Sequence, residues 1–516
     1  MLLLLACVTT PDPGDAYPPD RDRPVPELRV IAALEPGGPV HTVVVVDGAI
    51  ASVTPGELEV LAHETVRAEW ISPGMVDHHA HPGGLGRMLS ELDVTGTTSL
   101  AQVQELVAAA PGTGWIQGRG WDHTDWGDNT AFPLATDLDH VDRPVALRRV
   151  GGHTLWVNSA GLAAAGIDAD TVSPEGGRIV RDDQGQPTGV LIDAAMGLVD
   201  LPTPDAAELE RRMVLALDAI RDAGLVGVHD MGVSCDGVDL YERLALNDQL
   251  PVHVTVYLDP ECDVRLDQLD DGIWRRNRLT VAGVKVYADG ALGSRGALLS
   301  ADYTDEPGNH GHPLTPADAL QAWVERYPGG PGAPHVAFHA IGDQAATWVL
   351  DAFQAAGATG RLEHAQVVRP EDRARMAELG VVASMQPTHA TSDMPWAEAR
   401  LGPERVQWSY AWRSMLNDGV GLVFGSDFPV ESVDPGLGLW SATNRTDLDG
   451  HPAGGWRMDQ ALSLDEAVRA FSGAGLGEFP VGAPASMTLW STDETPAGDR
   501  YRAVGTLIGT DLHRIE

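Results

Sequence analysis

The sequence predicts an α/β protein: a (β/α)8 TIM-like barrel with an inserted subdomain, and a small β domain built from both chain ends. Three observations predict it. Eight short apolar segments, bounded by turn residues, are mostly separated by helical patterns. The first two segments stand far apart, with turn-rich and strand-like sequence of its own between them. Both ends of the chain consist of short β-like runs, and chain termini often lie close together.

The β-like runs at the start are "ELRVIAAL", "HTVVVVDGAIASV" and "VRAEWISPG", within residues 27–72. The barrel is expected over 73–476. Its strands are "GMVDHHAH", "LVGVHDMG", "PVHVTVYLD", "LTVAGVKVYADG", "HVAFHAIGD", "RLEHAQVV", "GVVASMQPTH" and "VGLVFGSDFP". Alternation of eight strands with helices is the accounting of a (β/α)8 barrel. The interval at about 90–200, with "GWIQGRGWD", "PVALRRVGGHTLWV" and "GGRIVRDDQGQPTGVLID", reads as the insertion. Helix "TPDAAELERRMVLALDAIRDAG" has Thr203 as its expected cap, Pro204 in the first turn and Gly224 as its stop. "TPADALQAWVERY" repeats the Thr-Pro start, and Ser463 with Glu466 forms a capping box. "SMTLWST" and "YRAVGTLIG", within 477–516, return to the β texture.

Composition narrows the function. The 516 residues are 43% hydrophobic and 21% charged, as in ordinary globular proteins, with ample material for a core. A formal charge of −39 argues against nucleic acid, whose phosphates need clustered Lys and Arg, and against anionic membrane surfaces. The N-terminal "MLLLLACVTT" resembles the lipobox of bacterial lipoproteins, with Cys7 as the lipidated residue. The Pro- and Asp-rich stretch after it suits a tether, so residues 1–26 are expected to be a signal and flexible linker. A lipid-anchored protein of the cell envelope follows; without lipidation the chain would be cytoplasmic. Cys235 and Cys262 are too few for a disulfide scaffold or a zinc-thiolate site.

Polar residues close the apolar strands. In "DHHAH", His79 and His81 are two apart, so on a strand both imidazoles face one side while His78 faces the other. His339 ends the fifth strand, His364 the sixth and Asp427 the eighth. The carboxyl ends of barrel strands are where such enzymes keep their sites, so a convergent metal centre accounts for all five. Lys285, on the fourth strand, is the only lysine among 35 basic residues. A buried ammonium beside divalent ions is costly. A neutral lysine amine instead adds carbon dioxide to give a carbamate, whose two oxygens bridge two metals; arginine cannot do this.

"PGMVDHHAH", "GRGWDHTDW", "RRVGGHTLWVNS", "VKVYADGALGSRGALL", "FHAIGDQA", "RLEHAQVV", "MQPTHATSD" and "GSDFPVE" resemble, in order, the metal-dependent amidohydrolase superfamily, and within it the amidohydrolase family 3, YtcJ-like group. The resemblance implies His79 and His81 as ligands of one metal and His339 and His364 of the other. It implies Lys285 as the bridge, Asp427 as ligand and proton carrier, and a β-sandwich made from the two ends. Aspartate stands at Asp193 where the group more often has glutamate, and the region after His81 is short. The implied chemistry is hydrolysis of a non-peptide, amide-like C–N bond of a small molecule by a metal-bridging hydroxide, with Asp427 as general base and then acid. His389, closing strand seven in "MQPTH", is placed to contact the substrate carbonyl. Trp121 and His153 lie in the insertion, to roof the pocket or to pack within it. Asp289 and Arg295 are expected to order the loop after Lys285. His and carboxylate ligands suit zinc first, with iron, manganese or cobalt also fitting. The alternatives are an ester or cyclic-amide hydrolase on the same metals, or a non-catalytic metal-binding lipoprotein.

Overall fold

The computed structural model describes residues 25–127, 131–150, 152–174, 176–495 and 497–515. The lipidation expected at Cys7 lies outside them. The chain divides into two compact units, one of Met1–His81 with Leu217–Glu516, the other of Pro82–Ala216.

The first unit contains the barrel. Its strands are β1 (Met75–Ala80), β2 (Leu225–Val233), β3 (His253–Leu258), β4 (Leu279–Tyr287), β5 (His335–Ala340), β6 (Arg361–His364), β7 (Val382–Met385) and β8 (Leu422–Phe424). All eight are the segments expected from the sequence, and they pair in parallel in chain order. Most are rich in apolar residues because both faces of the strands are covered.

Closure between β8 and β1 is made just past the strand ends. Asp427 N donates to His79 O at 2.7 Å, and His81 N to Phe428 O at 2.9 Å. Buried Asp77 reinforces the seam by accepting from Ser426 Oγ at 2.6 Å and from His79 N at 3.0 Å. Gly425 is required here, because a Cβ would stand 2.5 Å from His79 N. The seam therefore sets the spacing of His79, His81 and Asp427.

Both chain ends enter one seven-stranded sheet: Asp511–Arg514, Gly498–Ile508, Ser486–Thr495, Glu64–Pro73, Leu28–Ala33, Val40–Val46 and Ala49–Pro55, in that order. It encloses its own apolar cluster, with Val30, Val43, Ile71, Met487 and Leu507 at its heart. The second unit has a six-stranded sheet running from Gly177–Arg181 through Pro187–Asp193, Thr154–Val157, Val145–Arg149 and Ile116–Trp121 to Leu92–Asp93. The unit also includes helix Pro82–Ser90 and the first turns of helix Ala206–Asp222.

Two local expectations are corrected, and one feature was not foreseen. Helix Ala206–Asp222 is capped by Asp205, which accepts from Glu208 N at 2.8 Å, and not by Thr203. A carboxylate answers the positive end of the helix better than a hydroxyl does. Thr315 likewise caps nothing: its hydroxyl donates to Tyr287 O at 2.7 Å, and helix Ala317–Arg326 starts after Pro316. Cys235 and Cys262 form a disulfide, joining the segments that follow β2 and β3. Two cysteines are too few for a scaffold but enough for one staple. The capping box of Ser463 and Glu466 is present.

Candidate metal centre

His79, His81, Lys285, His339, His364 and Asp427 all line one cavity of about 380 Å³, together with His389. Alternation along β1 turns His79 and His81 to the same side, with ring centroids 5.7 Å apart. His339 and His364 come from adjacent parallel strands, and their rings stand 4.5 Å apart. His79 and His364 are 4.6 Å apart. Ligand atoms of His79, His364 and Asp427 lie within 4.8 Å of one another.

Two of these side chains are aimed by unusual backbone. His364 (φ 69°) and Asp427 (φ 63°) occupy the left-handed region, which L-residues other than Asn, Asp and His seldom enter. His364 is the last residue of β6 and Asp427 comes three residues after β8, so the chain turns sharply at the carboxyl end of each strand. Strain of this kind persists where surrounding structure holds it, and it gathers at functional sites.

Three imidazoles are held in one tautomer. His79 Nδ1 lies 2.5 Å from Glu363 Oε2, with both side chains fully buried. His339 Nδ1 lies 3.1 Å from Asp289 Oδ1, and His364 Nδ1 lies 2.9 Å from Gln386 Oε1. Each partner is an acceptor, so each Nδ1 carries the proton and each Nε2 keeps its lone pair. Burial and the neighbouring Lys285 charge lower the His79 pKa to about 4, so the ring is neutral at pH 7. This is the outer-shell arrangement that orients metal-binding histidines.

Behind Glu363 stands Arg361, its Nε 2.7 Å from Glu363 Oε1. Burial raises the Glu363 pKa, but the Arg361 charge and then His79 outweigh it and hold the carboxyl far below its ordinary range. Arg361 is itself fixed by Ser384 Oγ at 2.8 Å and His78 O at 2.7 Å. Asp289 does more than order a loop. It accepts from the backbone N–H groups of Leu298, Ile341 and Gly342 as well as from His339. Arg295 pairs with Asp305.

Lys285 is fully buried, its Nζ 3.3 Å from His79 Nε2. Burial is the main cause that lowers its pKa to about 8. Asp427 is buried too, which raises its pKa, but His81, His79 and His389 more than compensate and bring it down to about 2. His81 Nε2 is 3.1 Å from Asp427 Oδ1, and no hydrogen bond of good geometry satisfies that buried oxygen. An ionised, buried, unpartnered carboxylate oxygen amid imidazole lone pairs fits a divalent cation. The donor set of histidine nitrogen and carboxylate oxygen suits zinc and its neighbours in the first transition series.

His389 is near the centre but does not end strand seven. β7 stops at Met385, and His389 lies on the short helix Pro387–Asp393, because Pro387 begins a helix at once. Its Nδ1 accepts from Gln366 Nε2 at 3.3 Å, which leaves Nε2 as an unpartnered donor. Trp121 is fully buried in the apolar core of the second unit and donates its indole N–H to Leu147 O at 2.8 Å. His153 is exposed and lies 3.0 Å from Asp193 Oδ1. Sequence reasoning missed Glu363, Gln386 and Gln366. The signal for Glu363 was present: Arg361 and Glu363, two apart, put opposite charges on one face of a short strand.

The amidohydrolase family model, described as "Amidohydrolase family", matches residues 70–476. A Bacillus subtilis (strain 168) protein named "Putative amidohydrolase YtcJ" is 31% identical over 474 residues, covering 87% of this chain and 88% of that one. The N-substituted formamide deformylase of Arthrobacter pascens is 27% identical over 471 residues, covering 84% of each. An uncharacterized metal-dependent hydrolase from Pyrococcus horikoshii OT3 superposes with a TM-score of 0.71 at 26% identity, over 91% of this chain and 97% of that one. With its family model matched over most of its length, the chain belongs to the amidohydrolase family, and it is a metal-dependent hydrolase.

Proposed function

We propose that this hydrolase cleaves a non-peptide, amide-like C–N bond of a small molecule. The observation that carries the reading is the set of three imidazoles, each donating Nδ1–H to its acceptor and opening Nε2 into the cavity that holds Asp427 and Lys285. His79 and His81 would hold one divalent ion and His339 and His364 a second, with zinc the first choice. Bound there, the ions supply Lewis-acid polarisation of a carbonyl and make water more acidic.

The remaining work falls to this chain. Lys285, deprotonated, adds carbon dioxide through its Nζ and releases a proton; the carbamate gives two ligand oxygens that an ammonium lacks. Asp427, ionised at neutral pH, accepts the proton of the attacking water and returns it to the leaving nitrogen. His389 donates Nε2–H to the carbonyl oxygen as charge builds on it. Helix Pro387–Asp393 and Gln366 hold that imidazole in place.

The test joins metal analysis of purified protein to a panel of N-formyl amines, N-acyl amines, cyclic amides and esters. N-formyl amines come first because the Arthrobacter pascens relative is named for a formamide. Chelator-sensitive turnover of an amide, restored by added zinc, is the expected result. Turnover confined to esters, or unaffected by chelation, would overturn the reading.

A further inference from the structure

Beyond His389, one wall of the cavity is rich in acceptors and, among the described residues, carries no free arginine or lysine. Gln366 is almost wholly buried, yet its Oε1 has no hydrogen-bond partner while Nε2 is held by His389. Asp393 and Glu431 line the same cavity. Tyr410 ties this wall together: its backbone N–H donates to Gln366 O at 2.8 Å, and its hydroxyl donates to Asp393 Oδ2. Burial raises the Asp393 pKa to about 6, against the lowering effect of the Tyr410 hydroxyl and of His389, and the charge of Glu431 adds a smaller rise. Among the described residues, neither carboxylate is paired with an arginine or lysine. Trp396, whose backbone N–H donates to the Asp393 backbone O at 3.0 Å, adds an indole to the lining. Arg400 stacks on that indole, but its charge is paired with Asp305.

We infer that the cavity takes a substrate bearing a cationic or N–H-rich group, such as an ammonium or guanidinium, and rejects one bearing a carboxylate. This rests on the metal-centre reading, which places the scissile carbonyl beside His389. The cationic group then lies toward Gln366 Oε1, Asp393 and Glu431. It supplies a counter-charge to carboxylates that pair with no arginine or lysine and gives the buried amide oxygen a donor. The indole of Trp396 favours the same charge. A carboxylate there would meet two like charges with no counter-ion, and like-charge contact in a partly dry cavity is strongly unfavourable.

The experiment measures binding, so it needs no known substrate. Three hydroxamic acids of equal chain length, ending in an ammonium, a methyl group or a carboxylate, are titrated calorimetrically into zinc-loaded protein. The ammonium compound is expected to bind at least about tenfold tighter than the carboxylate compound, with the methyl compound between. Glu431→Gln and Asp393→Asn should each shrink that ratio at least about threefold. Equal or tighter binding of the carboxylate, or a ratio that survives both substitutions, overturns the inference. The methyl compound separates the two levels. If it binds only metal-loaded protein, the centre stands and the charge ratio decides. If none of the three needs the metal, the metal-centre reading falls and this inference with it.

Discussion

His79 Nδ1 and Glu363 Oε2 lie 2.5 Å apart, and neither side chain is exposed. One bond therefore links β1 to β6 across the barrel interior and sets which nitrogen of His79 faces the cavity. Glu363→Gln keeps the shape but weakens the acceptor, so metal affinity should fall about 10- to 100-fold. Glu363→Ala leaves the Arg361 guanidinium buried without its anion and should cost about 3–5 kcal/mol of stability. Metal titration reads the first effect and denaturant unfolding the second. Unchanged affinity in Glu363→Gln would show that the bond has no bearing on the centre.

Lys285→Arg keeps a positive charge but offers no oxygen and adds no carbon dioxide. The variant should be inactive and hold fewer metal ions per chain than the wild type, by elemental analysis. Lys285→Ala leaves a cavity in which acetate or propionate can supply the missing oxygens, so millimolar carboxylate should restore part of the turnover. A Lys285→Arg protein with a full metal complement and normal turnover would exclude the carbamate.

Asp427→Asn removes the ionised oxygen without changing volume. It should lower kcat by about 10²- to 10⁴-fold, the range ascribed to general acid–base groups, with much of the metal retained. Near wild-type kcat with metal bound would take the proton-transfer role away from this residue.

The Cys235–Cys262 disulfide closes a loop across a sequence separation of 27 residues, for which chain entropy suggests about 3.5 kcal/mol of stabilisation. Cys235→Ser with Cys262→Ser should lower Tm by a few degrees while metal content is kept. Disulfides persist in oxidising compartments, so we propose that the chain works outside the cytoplasm. Native protein that takes up an alkylating reagent at both cysteines without prior reduction would contradict both points.

The barrel was legible because its strands are covered on both faces. Their apolar runs stand out between turns, and all eight fell where expected. The ligand candidates were legible for a related reason: a histidine or aspartate ending an apolar strand conflicts with burial unless something binds it. His389 shows the limit. The sequence marks it as a polar residue after a strand, but whether Pro387 ends that strand or starts a helix depends on what packs around it.

The sequence by itself determined the class of fold, the six residues that converge, and the oddity of a lone lysine, because periodicity and residue chemistry are local. Tertiary structure alone decided which nitrogen of each imidazole is free. That choice rests on Glu363, Asp289 and Gln386, which stand 284, 50 and 22 residues from the rings they hold. It also decided that Gln366, Asp393 and Glu431 share one wall, since only the closed barrel brings their segments around a common cavity. Hydrogen bonds and charge act over a few ångströms in space, whatever the separation along the chain.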